Sequence, residues 1–180
     1  LYGAITGEAA PCKRAATWAI QSANPANPDD LRQIALVADY CPFALTETET
    51  SQIARRLAPA LATRPSSPRA VRSVALAAFA LADSEPRAAS AFLRYAVENW
   101  WRKQVQPEMR EDRNPFQSKA DLMAAVEFLH AIRDNLRADL REGAEKWFDR
   151  LPPILLLSYY PAPWPAAENE FRIPASNTPG

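Results

Sequence analysis

Glycine is nearly absent from this chain: four residues in 180, against 35 alanines and 17 prolines. Tight turns and phosphate-cradling loops need glycine, because only a residue without a Cβ bends freely or lets backbone approach a ligand. Gly3 and Gly7 lie at the start and Gly180 is the last residue, so Gly143 stands alone in the body. What remains is alanine-rich sequence punctuated by proline, which specifies helices and provides little equipment for chemistry.

The helices follow from breakers, caps and apolar spacing. Residues 9–22 read as a first helix, with Pro11 tolerable in its first turn. Pro25 and Pro28 enforce a loop. Asp29 is the expected N-cap of a second helix, which ends at Tyr40–Cys41 before Pro42. Leu31, Ile34, Ala35 and Ala38 keep the spacing of one buried face. A third helix is expected from Thr46 or Thr48 through Ile53, Leu57 and Leu61, kinked or cut short at Pro59. Ser67 and Pro68 supply a cap and a first-turn proline for a fourth, which reaches about Ala82. It is apolar nearly all round, as a helix covered on several sides must be.

Pro86 opens a fifth helix through about Gln104, with Ala88, Phe92, Tyr95 and Ala96 on the core face. Residues 106–115 are polar, hold two prolines and read as a surface loop. Ser118 and Asp121 resemble a capping box with Asp in place of Glu. They open the longest helix, from 119 to about 141, where Leu122, Ala125, Leu129, Ile132 and Leu136 recur at heptad-like spacing. From Leu151 onward seven prolines accumulate. That segment, 151–180, is expected to be an extended strap over a helical domain, 1–150, with its last residues loose.

The fold class is therefore all-α: five or six helices in antiparallel hairpins, as a bundle or a short solenoid. Residues 68–99 give two helices joined by a short turn, with Ala75, Ala78 and Ala82 permitting close approach. This pair resembles a tetratricopeptide hairpin, whose unit has a similar length. The family's Trp, Gly and Tyr positions in the first helix are not met, and no second copy follows at the same period. No binding residue is carried over from it.

Charge and cysteine usage narrow the function classes. The net charge is zero, and no basic stripe with interleaved aromatics is present, so no nucleic-acid partner is expected. No stretch reaches the ~18 apolar residues that span a bilayer. The apolar opening Leu1–Ala10 reads either as the end of a removed export signal or membrane anchor, or as a trimmed boundary. Cys12 and Cys41 are expected to form a disulfide closing a loop of about 30 residues, worth ~3.5 kcal/mol on the chain-entropy argument. Such a bond belongs to an oxidising compartment, here periplasmic or extracellular. The alternative is a pair of buried free thiols.

Candidate chemistry is thin. His130 has no recognisable nucleophile to work with and is expected to be half-buried on its helix. One histidine and two methionines leave few axial ligands for haem, and no cofactor or metal is expected. Glu108, Glu111 and Asp112 in the polar loop, with Glu127 facing out of the long helix, are the candidate acid–base carboxylates. Among Arg102, Lys103, Arg110 and Arg113, a solvated charge mixture is the simpler expectation.

The aromatic residues carry the strongest functional suggestion. Adjacent positions on a helix point about 100° apart, so one of Trp100 and Trp101 can be core while its neighbour is exposed. With Tyr159, Tyr160 and Trp164 from the strap they would make an exposed patch suited to protein docking or sugar stacking. Alternatively the strap covers these rings itself. The leading expectation is a non-enzymatic scaffold domain of an exported or membrane-anchored protein, which docks protein partners of an envelope assembly. A carbohydrate-binding or carbohydrate-active protein is the alternative.

Overall fold

The computed structural model describes residues 5–157. From residue 9 onward they form seven helices, one or two more than expected, and contain no strand. Helix α1 is Ala9–Gln21 and α2 is Pro28–Tyr40. Asn27, not Asp29, caps α2: its side chain accepts from the Asp29 and Asp30 backbone N–H groups at 2.9 and 3.3 Å. The reason is Pro28, which holds the preceding residue in extended backbone (φ −84°, ψ 123°), the conformation of a cap, and itself takes the first helical position.

A short 3₁₀ turn, Pro42–Ala44, leads to α3, Glu47–Leu57. Thr46 and Glu49 close a full capping box there, the Thr46 hydroxyl accepting from Glu49 N–H at 3.2 Å and the Glu49 carboxylate accepting from Thr46 N–H at 2.8 Å. Pro59 ends the α geometry as expected, and the chain tightens into a 3₁₀ segment, Ala58–Ala62. The Lys13 ammonium, 2.9 Å from Glu49, together with the capping contacts, holds that carboxyl down to about 2. A lowered folded pKa contributes stability above the ordinary carboxylate range, and the contribution is lost as pH falls through the folded value. The midpoint temperature of the parent should therefore exceed that of Glu49→Gln at pH 5, and the gap should close near pH 2. A gap independent of pH would remove the capping carboxylate from the linkage.

Helix α4, Pro68–Ala80, is the centre of the molecule. Ser67 caps it and Pro68 opens it. It packs at once against α2, α5 and α6, which explains its all-round apolar character. Helix α5 covers residues 86–110 without a break. It is α-helical over Pro86–Arg94, π-helical over Tyr95–Val105 and α-helical again over Gln106–Arg110. The expected loop at 106–115 is thus helical in its first part. Pro107 sits just after the change from π to α geometry, near the end of the continuous helix.

Helix α6, Lys119–Leu136, starts on the Ser118 cap, whose hydroxyl accepts from Asp121 N–H at 3.1 Å. It ends five residues short of the expected boundary, at Arg137 in the left-handed region (φ 57°). The connection that follows buries Leu140 and Ala144. Gly143 takes φ +83° in it, and a Cβ there would fall 2.6 Å from the Arg110 guanidinium. The left-handed backbone is what requires glycine here, since the end of the Arg110 side chain can move aside.

Helix α7, Glu145–Leu157, corrects the expectation that regular structure ends near residue 150. Pro152 and Pro153 lie inside it, where each removes one N–H donor from the helical ladder. The rest of the proposed strap, with Tyr159, Tyr160 and Trp164, lies outside the described residues.

Candidate functional site

Trp100 and Trp101 lie in the π-helical segment, and both are buried, at 1% and 0% exposure. This corrects the expectation that one ring faces solvent. That expectation assumed α geometry; i→i+5 bonding widens the turn, so neighbouring side chains diverge less and both indoles point inward. Trp100 meets Phe128 edge-on, with ring centroids 5.2 Å apart and planes at 86°. Trp101 stacks on Phe148 at 6.5 Å and 26°. Each indole N–H is satisfied, donating to Ser66 O at 2.7 Å and Leu140 O at 2.8 Å. Tyr95 donates its hydroxyl to Pro65 O at 2.9 Å in the same way. Neither indole face is free for a partner or a sugar.

Cys12 and Cys41 form the expected disulfide, with Cα atoms 5.5 Å apart. It joins the first turn of α1 to the residue that ends α2, and both cysteines are buried. The other end of α1 is held by Arg56 of α3, whose guanidinium donates to the carbonyls of Ile20 and Ala23.

A charged cluster not anticipated from sequence ties α2, α4 and α6 together. Arg72 of α4, with only 9% of its side chain exposed, donates to Asp29 at 3.0 Å and Glu127 at 3.3 Å. Arg32 grips the same Glu127 through Nε (2.8 and 2.9 Å) and Nη2 (2.6 Å), while Arg69 pairs with Asp29. Glu127 therefore faces a helix junction, correcting its expected outward placement. Its carboxylate is attracted there because a buried guanidinium must be neutralised. The Arg69 hydrogen bond, with Arg72, holds the Asp29 carboxyl below its ordinary value. The sequence signal was an arginine inside an otherwise apolar helical run, Val71-Arg72-Ser73-Val74.

Removing one partner leaves Arg72 under-neutralised, so Glu127→Ala should cost about 1–3 kcal/mol, less than in a fully buried pair because Glu127 retains 29% exposure. Glu111→Ala, on an exposed ion pair, should cost nothing measurable. Urea unfolding of both variants checks the contrast, and equal midpoints would deny the cluster a structural role.

Glu108 has the wrong electrostatics for a general acid, which needs a raised pKa. Arg113 hydrogen-bonds Glu108 and holds it below its ordinary value. Arg113 also pairs with Glu111, and Asp112 pairs with Arg150. His130 is exposed rather than half-buried, its Nδ1 lying 2.9 Å from Arg133 Nη2, because its helix turns this position away from the junction.

The remaining feature is a cleft of about 230 Å³ lined by Arg102, Gln106, Arg110, Asp139, Leu140 and Glu142. The last two turns of α5 form one wall and the connection after α6 forms the other. In comparisons with protein-family models, with curated proteins and with solved structures, none matched this chain.

Proposed function

We propose that this chain is a non-enzymatic interaction domain that works in an oxidising compartment, periplasmic or extracellular, as a scaffold subunit of an envelope assembly. The observation that carries the reading is the buried Cys12–Cys41 disulfide, which persists only where thiols are not kept reduced. The loop carboxylates support the non-enzymatic half, since arginines hold them in ion pairs. No described helix is long and apolar enough to cross a membrane, so any attachment to an envelope runs through a partner or through residues outside the described ones.

In this reading α4 and α5 form a tetratricopeptide-like hairpin, with α2 and α3 as a degenerate second one. Direct packing of α4 against α2 supports it, because side-by-side hairpins place their first helices next to each other. Partner docking falls to Tyr159, Tyr160 and Trp164, since Trp100 and Trp101 are committed to the core.

Affinity capture from the native source in mild detergent tests this, with the parent compared against a Tyr159→Ser/Tyr160→Ser/Trp164→Ser variant. A defined set of envelope proteins should accompany the parent and be lost from the variant, with the thermal midpoint unchanged. Recovery of the same set by both, or free thiols in protein from the native source, would overturn the proposal.

A further inference from the structure

We propose that the cleft between the end of α5 and the 137–144 connection binds a small zwitterion that carries a carboxylate and an ammonium group. The cleft has one positioned cation. Arg110 donates Nε to Gly143 O at 3.1 Å and Nη2 to Gln106 Oε1 at 3.2 Å. Gln106 is itself buried, at 6% exposure, and donates its amide N–H to the carbonyl of Glu142. The guanidinium is thus held along two edges. Its Nη1 makes no hydrogen bond among the described residues. A guanidinium held in this way is pre-organised to take a carboxylate, because its ordering cost is met before the ligand arrives.

Arg102 stands two turns earlier on the same face and shares its Nη1 with Glu98 at 2.9 Å. The opposite wall carries the complementary sign. Arg141 hydrogen-bonds Asp139 and holds it ionised, and Glu142 presents an exposed carboxylate. A phosphate dianion would meet two carboxylates here, and a simple cation would meet two guanidinium groups. A zwitterion satisfies both walls. The volume falls below the roughly 300–1,000 Å³ of pockets for drug-sized ligands, which limits the occupant to a handful of heavy atoms.

The test is an NMR titration of the full chain with L-valine, with acetate, methylammonium and inorganic phosphate as separate probes. L-valine should give saturable shifts confined to the amides of 102–110 and 137–144. Acetate and methylammonium, each carrying half of the recognised chemistry, should bind about ten-fold more weakly or worse. Arg110→Gln should weaken L-valine about ten-fold. Glu142→Gln should do the same for L-valine while leaving acetate unchanged, and it decides the matter alone if the Arg110 variant fails to fold. No saturable response to L-valine, acetate or phosphate binding as tightly as L-valine, or parent affinity in Glu142→Gln would each overturn the proposal.

Discussion

Trp101→Ala should cost about 3–5 kcal/mol of folding stability, a large share of the 5–15 kcal/mol that holds a typical domain together. The indole is fully buried between Phe128 and Phe148, so truncation opens a cavity that helical backbones cannot collapse to fill. It also strips the Leu140 carbonyl of its donor. Trp101→Phe separates the two effects: it keeps most of the apolar volume and loses the hydrogen bond, so a smaller cost of about 1–3 kcal/mol is expected. Urea unfolding followed by far-UV circular dichroism reads both without relying on tryptophan emission. A midpoint for Trp101→Ala close to the parent's would place this ring outside the core and undo the account of the π segment.

Removing the disulfide is the second large effect. Cross-linking residues separated by 29 positions restricts the unfolded chain by about 3.5 kcal/mol. Cys12→Ala/Cys41→Ala should lower stability by roughly that amount. The loss should appear chiefly as earlier fraying of α1, which is otherwise tied by the packing of Ala16 and Ala19 in the core, the Arg56 contacts and the Lys13–Glu49 ion pair. Hydrogen exchange on residues 9–21 locates it. The parent, measured intact without reductant, should be lighter by the two thiol hydrogens. Free thiols in that measurement, or a double variant as stable as the parent, would contradict the bond.

How far the sequence specified the molecule can be judged element by element. The caps at Thr46, Ser67 and Ser118, and the break at Pro59, were legible because each is decided by local chemistry within a few residues. The all-round apolar character of α4 announced its central place. The π-helical stretch was not legible. Nothing in Tyr95–Val105 differs from an ordinary amphipathic helix, and the packing of both indoles around Phe128 exists only in the folded molecule. The same tertiary dependence hid Glu127, whose surroundings are set by arginines 95 and 55 positions away. The cleft escaped notice because it joins residues near 106 to residues near 140, and only the folded connection at Gly143 brings them together.

The disulfide also has a mechanical reading. A pull applied to the chain ahead of Cys12 would not unwind α1 beyond the bridge. The covalent bridge hands the load across to Cys41, at the far end of α2, and residues 13–40 form a closed loop that bears no tension while the bridge stands. Once the three α1 residues ahead of Cys12 have given way, the load passes to the Pro42–Ala44 turn and then α3, downstream of the bridge.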